Sequence, residues 1–274
     1  MRDPATGKFT IAKGKPGSGG SGVVGAEWTG GGLVQATTGK VLFAMGGSYY
    51  VCSASVAQDT NTNTSVILTA GHCVFDNSAG AYANWMFVPD YDANPVNLTT
   101  SGSFCADTRY GCWTAQALVA HRGFTSQTAF TAQATLYDFA FATVGAGGKK
   151  NTQLDATVGA QAISFATGTT NAKTDLFGYP SSAPYTGKVL TYSEGALGYD
   201  SRNGNNTYRV TSNMTQGCSG GPWFQGFAAG TGTMMSVNSY SYSGSSYMHG
   251  PKLNGNTQAL YTTAQGATAT VTVG

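Results

Sequence analysis

Three short motifs in this sequence carry side chains that could together hydrolyse an acyl bond. TAGHC contains His72, YDFAFATV places Asp138 at the head of an apolar run, and GCSGGP surrounds Ser219 with glycines. A serine hydroxyl attacks a carbonyl when a neutral imidazole removes its proton. That imidazole needs a buried carboxylate on its other nitrogen, which fixes the tautomer and stabilises the imidazolium. The motifs therefore predict a catalytic triad of His72, Asp138 and Ser219.

The glycines beside the serine predict an oxyanion hole. A tetrahedral intermediate needs backbone N–H donors, and glycines let the chain approach without a side-chain clash. We expect the amides of Gly217 and Ser219 to supply them. Each motif alone is weak, because GCSGG also fits a glycine-rich turn and Asp138 could cap a strand. The combination and the order of the three motifs carry the prediction.

The order of the motifs also argues against other hydrolase arrangements. GCSGG matches the G-x-S-x-G nucleophile elbow of α/β-hydrolases, whose acid and histidine follow the serine, but no Asp or Glu follows Ser219. The order Asp, His, Ser of subtilisins could use Asp59, yet the strand-rich pattern does not suit an α/β fold. Cys218 lacks the flanking glycines of viral cysteine proteases, since Gln216 lies two residues before it. Serine remains the predicted nucleophile.

Short strand-like segments must position these residues. They are rich in Val, Tyr, Phe and Thr and are separated by clusters of Gly, Asn, Asp and Pro. The predicted strands are 40–45, 49–56, 65–68, 85–88, 139–144, 208–210, 234–237 and 268–273. Residues 256–265 could form a short terminal helix. The pattern predicts an all-β barrel or sandwich, divided at the polar connector 145–153.

Composition and charge narrow the function classes. Only 9% of the 274 residues are Asp, Glu, Lys or Arg, and the net charge is +2 with no long basic run. Nucleic-acid and anionic-membrane partners are therefore not expected. No apolar run approaches the about 20 residues of a membrane-spanning helix. Residues 1–22 are predicted to form a flexible arm without the apolar segment of a signal peptide, so we expect any export signal to have been removed.

The motifs TAGHC, YDFA and GCSGGPW resemble those of the chymotrypsin-like serine peptidases, in particular the secreted V8-like branch of bacteria and fungi. The resemblance is specific at the motifs and weak between them. It implies an all-β fold of two six-stranded antiparallel β-barrels with the active site in the cleft between them. The first barrel, 23–148, would carry His72 and Asp138, and the second, 149–274, would carry Ser219.

Five cysteines favour local disulfides and an oxidising compartment. Cys52 and Cys73 lie near the ends of two apolar runs, and Cys105 and Cys112 bracket a short loop, which leaves Cys218 free. The resemblance implies the same Cys52–Cys73 pair beside the catalytic histidine. In the animal branch of the family an Asp before the nucleophile pairs with the newly cut N-terminus. Cys218 stands there in this chain, so we expect other contacts to hold the catalytic loop.

The resemblance also indicates where a specificity pocket should lie. Asn213 stands where enzymes that prefer Arg or Lys have Asp, and Met214 and Asn238 stand where glutamate-specific enzymes have Thr and His. We therefore predict that these three residues and Ser239 line a neutral pocket for an apolar or uncharged side chain. Ser239 and Tyr240 begin a segment that resembles the strand on which these enzymes bind the substrate backbone.

The predicted function is that of a secreted serine endopeptidase, a monomer acting on proteins or peptides without a metal or other cofactor. No C-x-x-C pair occurs and the three histidines are far apart, so a zinc site is not predicted. His121 and His249 lie outside the motifs and are predicted to be surface or loop histidines. The alternatives are a catalytically silent homologue that acts as a binding module, or a processing protease or toxin with one partner.

Overall fold

The computed structural model describes residues 4–5 and 22–274. The flexible arm predicted for residues 1–22 lies outside these residues, except at positions 4, 5 and 22. The strands, β1 to β18 in chain order, are Ala26–Glu27, Thr38–Met45, Ser48–Ala57, Ser65–Thr69, Phe75–Asp76, Gly80–Ala81, Ala83–Pro89, Trp113–His121, Ala140–Val144, Ala162–Ile163, Lys173–Gly178, Thr191–Ala196, Gly198–Tyr199, Tyr208–Thr211, Pro222–Ala228, Thr231–Val237, Tyr247–Gly250 and Val271–Val273.

The helices are short, and the longest of them has ten residues. In chain order, α1 to α6 are Gly32–Thr37, Phe104–Asp107, Arg122–Thr125, Ala132–Thr135, Leu154–Val158 and Gly255–Ala264. Single 3-10 turns lie at Gly71–Cys73, Tyr91–Ala93 and Ser201–Asn203. Helix α6 confirms the terminal helix predicted for residues 256–265. In the described part of the chain, no helix has the length and apolar character needed to cross a membrane.

The first lobe is a closed antiparallel barrel of six strands. Strands β2, β3, β4, β9, β8 and β7 pair in that order, and β7 pairs back with β2. Strands β2 and β3 form a hairpin whose turn residues, Gly46 and Gly47, both have positive φ, as a tight two-residue turn requires. Val56, Ile67 and Ala142 are paired across β3, β4 and β9, share one face of the sheet and are fully buried, whereas Phe141 lies on the other face and contacts Tyr261 of α6. This barrel confirms the all-β prediction for the first lobe.

The second lobe is built from two sheets. One has the strand order β1-β12-β11-β15-β16-β10, in which β10 runs parallel to β16, and the other has the order β13-β14-β17. The two sheets meet where β14 packs against β12. Leu176, Trp223 and Met248 are buried between them and share one apolar cluster. The lobe is all-β, as predicted, and the cleft between the two lobes holds the residues of the three motifs.

Each end of the described chain pairs with the lobe that the other half of the chain forms. Strand β1 pairs with β12 of the second lobe, while β18 pairs in parallel with β8 of the first. Helix α6 also packs on β8 and β9, and the Thr143 hydroxyl donates a hydrogen bond to the Ala264 carbonyl. The predicted domain boundaries, 23–148 and 149–274, stay a prediction.

Candidate active site

His72 and Asp138 come together from two segments of the first lobe. His72 lies in the 3-10 turn after β4, and Asp138 lies between α4 and β9. The backbone N–H of His72 donates to Asp138 Oδ1 over 2.7 Å, and His72 Nδ1 lies 2.8 Å from Oδ2. Asp138 is fully buried, and the Ser239 hydroxyl donates a further hydrogen bond to Oδ2. These contacts orient the imidazole through Nδ1 and leave Nε2 for proton transfer.

Ser219 lies in the turn that precedes β15 of the second lobe. Ser219 and His72 line the same cleft cavity, which has a volume of about 330 Å³. Ser219 Oγ is buried and makes no hydrogen bond to His72 or to any other described residue. Within the described part of the chain, the amides of Gly217 and Ser219 also donate no hydrogen bond. The predicted triad therefore meets in one cleft, and the hydroxyl and amides that a substrate carbonyl needs are unpaired there.

Contacts from Ser53 and Ser181 hold the loop that carries Ser219. Ser53 Oγ donates to the Gly217 carbonyl over 2.8 Å, and Ser53 N donates to the Ser219 carbonyl over 2.7 Å. Ser181 N donates to the Gln216 carbonyl over 2.6 Å. Because C=O and N–H point to opposite sides of a trans peptide, this bond turns the Gly217 amide away from Ser181. The sequence predicted that contacts of some kind hold this loop, but no motif marks these two serines.

Gly217 is required by the shape of this loop. Its φ is +98°, a conformation that residues with a side chain rarely adopt. A Cβ at this position would lie 2.4 Å from Ser181 Oγ and 2.7 Å from the Tyr179 carbonyl oxygen. The glycine therefore allows the catalytic loop to approach the Tyr179–Ser181 segment closely.

None of the four residues predicted to line a specificity pocket, Asn213, Met214, Asn238 and Ser239, belongs to the lining of the cleft cavity. Asn213 Oδ1 accepts a hydrogen bond from a tyrosine hydroxyl. Met214 is 1% exposed and packs in the apolar cluster that contains Cys218. Asn238 is fully buried, and its side chain donates to the Cys218 carbonyl and accepts from the Trp223 indole. The Asn238 side chain thus supports the catalytic loop.

The Ser239–Ser241 segment keeps its side chains turned inward and part of its backbone unpaired. The Ser239 hydroxyl is bonded to the triad carboxylate, and Tyr240 is fully buried with its hydroxyl bonded to Asp200. Neither the Ser239 carbonyl nor the backbone N–H and C=O of Ser241 has a hydrogen-bond partner among the described residues. Any contact of Ser239 with a substrate would therefore use the backbone.

Aromatic side chains form one wall of the cleft cavity. They are Phe43, Tyr49, Tyr50, Phe75, Tyr82 and Phe130. The Phe43 ring stacks on Tyr82 with centroids 4.2 Å apart, and Tyr49 is 66% exposed at the mouth. Asp76 is the one carboxylate of the cavity lining, and Oδ1 of Asp76 already accepts three hydrogen bonds from the neighbouring turn. The lining therefore combines aromatic rings with one carboxylate that is bonded within its own turn.

Both predicted disulfides are present. Cys52 and Cys73 are joined with an S–S distance of 1.99 Å, and Cys105 and Cys112 with a distance of 2.05 Å. The sulfurs of Cys52 and Cys73 and a ring nitrogen of His72 lie within 4.8 Å of one another. This group does not form a metal site, because sulfurs in a disulfide offer no thiolate to a metal. Cys218 is free and fully buried, and burial raises the pKa of its thiol to about 12. A thiol that stays neutral is a poor nucleophile.

The prediction that His121 and His249 are surface or loop histidines is wrong. His121 is 8% exposed at the end of β8, and His249 is 2% exposed within β17. Each ring stacks on a tyrosine, His121 on Tyr137 and His249 on Tyr240, with centroids 4.5 Å and 4.8 Å apart. Burial lowers the pKa of both rings, that of His249 to about 4.

Comparison with known proteins identifies the family. No protein-family model and no curated protein sequence matches the chain. The solved structure of the protease Anisep from Arthrobacter nicotinovorans is 31% identical with a TM-score of 0.70, over 90% of this chain and 100% of that one. A thermostable serine protease, AL20, from an extremophilic microorganism is 30% identical with a TM-score of 0.70, over 85% of this chain and 98% of that one. A Glu endopeptidase, 21% identical over 91% of this chain and 99% of its own, shares the fold with a TM-score of 0.62. The chain therefore belongs to the chymotrypsin-like serine proteases and is a serine endopeptidase.

Proposed function

We propose that this chain is a secreted, monomeric endopeptidase that cleaves peptide bonds through an acyl-enzyme on Ser219. His72 takes the Ser219 proton through Nε2 and returns it to the leaving amine, while Asp138 stabilises the imidazolium. The amides of Gly217 and Ser219 donate to the oxyanion of each tetrahedral intermediate. The observation that supports this assignment best is the fully buried Asp138 bonded to His72 Nδ1 in a cleft that Ser219 also lines.

The cleft supports a preference for uncharged side chains next to the scissile bond. Its lining contains six aromatic side chains, and its one carboxylate is bonded within its own turn. A charged side chain placed there would lose hydration without gaining a partner. We therefore propose a neutral or apolar residue on the acyl side of the cut, with the substrate backbone added as a strand to Ser239–Ser241.

Secretion is supported by the two disulfides. Such bonds form and persist in oxidising compartments and are rare in reducing ones. The bond between Cys52 and Cys73 adjoins His72, so we expect reduction to impair activity together with stability.

The test is to map cleavage of a diverse peptide library by mass spectrometry with the wild type and the Ser219→Ala variant. We expect cuts after uncharged residues that disappear in the variant. Labelling by a fluorophosphonate, followed by peptide mapping, should modify Ser219 in the wild type and nothing in the variant.

Cuts that persist in Ser219→Ala, or a label on another residue, would contradict the assignment. A catalytically silent binding module is the alternative, and the buried Ser219 Oγ without a bond to His72 is the observation that favours it. Absence of both cleavage and labelling in the wild type would support that alternative.

A further inference from the structure

A second cavity, of about 250 Å³, lies in the second lobe next to the segment proposed to bind the substrate backbone. One of its lining residues, Tyr242, directly follows Ser241 in the chain, and the lining is mostly polar. We call it the arginine pocket, defined by the side chains of Asp200, Arg202, Arg209, Tyr242, Tyr247 and His249. Its side chains come from the loop after β13, from β14, from β17 and from the loop that precedes β17.

Two guanidinium groups of this pocket stack on tyrosine rings. Arg202 Cζ lies 4.9 Å from the centroid of Tyr242, and Arg209 Cζ lies 4.5 Å from that of Tyr247. Neither arginine forms an ion pair with a carboxylate of the described residues. Stacking restricts a guanidinium while leaving its planar set of donors available, which suits recognition of a carboxylate.

The carboxylate of Asp200 does not neutralise these arginines. Asp200 Oδ2 accepts hydrogen bonds from the Tyr240 and Tyr242 hydroxyls at 2.7 Å and 2.8 Å, and Oδ1 accepts one from the Arg202 backbone N–H. Burial lowers the pKa of His249 to about 4, so that ring is neutral near pH 7. Two guanidinium charges then face one carboxylate, and the pocket keeps a net charge of +1.

One polar atom of the pocket lining lacks a partner. His249 Nδ1 is buried and makes no hydrogen bond with any described residue. Folded proteins rarely leave such an atom unsatisfied. The His249 ring belongs to the same lining as the two guanidiniums, and this set of donors favours a ligand with hydrogen-bonding oxygens. A dianionic phosphate would exceed the net charge of the pocket and lie against Asp200, whereas a single carboxylate matches that charge.

The position of the arginine pocket determines which substrate residues could reach it. A peptide that adds antiparallel to Ser239–Ser241 pairs the residue next to the scissile bond with Ser239, because Ser239 contacts the triad carboxylate. Earlier substrate residues then run towards Ser241 and Tyr242. At about 3.4 Å per residue, the side chains that reach Tyr242 lie about three to five positions before the cut.

We propose that the arginine pocket binds the carboxylate of an Asp or Glu that lies three to five residues before the scissile bond. This inference rests on the proposed function, because it uses the substrate direction that the triad and Ser239–Ser241 imply. It makes the enzyme selective at a distance from the cut, while the residue next to the cut is uncharged.

The test takes one library peptide that the wild type cuts and replaces each of the five residues before the cut, in turn, by Glu and by Gln. We expect the Glu peptide to exceed the Gln peptide in kcat/KM by about two- to fivefold at one of positions three to five, the size of an exposed charge pair. In the double variant Arg202→Gln, Arg209→Gln the ratio should fall to about 1.

The matched control is Arg122→Gln, which removes one exposed arginine of the first lobe and should leave the Glu to Gln ratio unchanged. A ratio of about 1 at all five positions in the wild type would overturn the inference. So would a preference that survives in the double variant, or one that Arg122→Gln reduces as strongly, because a general effect of net charge would then explain it.

A binding measurement separates this inference from the proposed function. The fluorescence anisotropy of labelled Glu and Gln peptides is measured with Ser219→Ala, with and without the two arginine substitutions. Tighter binding of the Glu peptide that depends on the arginines supports the pocket even if the wild type cleaves nothing. Equal binding of the two peptides contradicts the pocket even if cleavage depends on Ser219.

Discussion

Two histidines of this chain each lie beside a buried aspartate, His72 beside Asp138 in the cleft and His249 beside Asp200 in the second lobe. The first pair is in direct contact at 2.8 Å, and the second is separated by 3.8 Å. The His72 side chain is 18% exposed, whereas that of His249 is 3% exposed. The same two residue types therefore occur in one molecule in two different arrangements.

The difference lies in the other groups that each carboxylate binds. Asp138 accepts from the backbone and ring of the same histidine and from Ser239, so its charge remains directed at the imidazole. Asp200 accepts from two tyrosine hydroxyls and a backbone amide, and its Oδ1 stays 3.8 Å from His249 Nε2, beyond hydrogen-bond distance. A buried His–Asp pair suits catalysis when the carboxylate contacts the ring and the other ring nitrogen faces substrate.

Replacing each histidine should give the largest contrast. We expect His72→Ala to lower kcat/KM on a library peptide by about 10⁴-fold or more, because the general base is lost. His249→Phe keeps a ring to stack on Tyr240 and should cost less than about tenfold. Initial rates measured with active-site titration would test this, and a loss of similar size in both variants would remove the distinction between the pairs.

Replacing each carboxylate by its amide sharpens the comparison. Asp138→Asn should lower kcat by about 10⁴-fold, because an amide can favour the wrong imidazole tautomer. Asp200→Asn should change the free energy of unfolding more than kcat, because Asp200 binds the Tyr240 and Tyr242 hydroxyls and not His72. The measurement is kcat for both variants beside their thermal unfolding. An Asp138→Asn enzyme with nearly full kcat would refute the role given to that carboxylate.

Removing the Ser239 hydroxyl, which donates to the Asp138 carboxylate, should have a smaller effect. Ser239→Ala deletes one hydrogen bond to Asp138 Oδ2, and bonds to charged groups of this kind are worth about 1.5–3 kcal/mol. We expect kcat to fall about ten- to a hundredfold with little change in KM. Ser236→Ala, which deletes another buried serine hydroxyl bonded to the Pro251 carbonyl, is the control and should leave kcat nearly unchanged.

The smallest expected effect is a pH dependence of stability from the second pair. Burial lowers the pKa of His249 from 6.5 to about 4. Between these values the unfolded chain binds a proton at this ring and the folded chain does not, so its contribution to stability falls as pH falls. His249→Phe in the Ser219→Ala background should remove this slope, which thermal unfolding between pH 7 and about 4.5 would measure against Ser219→Ala alone.

Two buried carboxyls give stability the opposite dependence on pH, both in Ser219→Ala and in the variant that also carries His249→Phe. Burial raises the pKa of Asp90 and of Asp175 to about 6. Between the ordinary carboxyl pKa of 3.8 and about 6 the folded carboxyls hold protons that the unfolded ones have lost, so their contribution to stability falls as pH rises. Both proteins contain Asp90 and Asp175, so the contributions of these carboxyls cancel when one protein's stability is subtracted from the other's at each pH. An unchanged difference across the pH range would contradict the role given to His249.

The triad motifs were predictable because each is local. TAGHC and GCSGG contain the turn, the small residues and the reactive side chain within a few positions, and strands β3 and β4 follow the predicted segments 49–56 and 65–68. Strand β11 was not predicted, because it buries the polar residues Thr174 and Asp175, which a hydropathy pattern assigns to the surface.

The surroundings of the triad could not be predicted in the same way. The direction of a side chain such as Met214 or Asn238 depends on packing between strands far apart in sequence. Ser53 reaches the Gly217 carbonyl from another lobe, across 164 positions. The pairing of His249 with Asp200 needs a contact between β17 and the loop after β13 that no local pattern contains.

The packing of the C-terminal segment on the first lobe implies the order in which the two lobes are completed during synthesis. The barrel that carries His72 and Asp138 is translated first, yet it receives α6 and β18 from residues 255–273. A ribosome must therefore release almost the whole described chain before that barrel is finished, although N-terminal units often fold earlier. The proteolytic centre would then reach its final form only after its serine loop has been made, which limits premature cleavage of nascent chains.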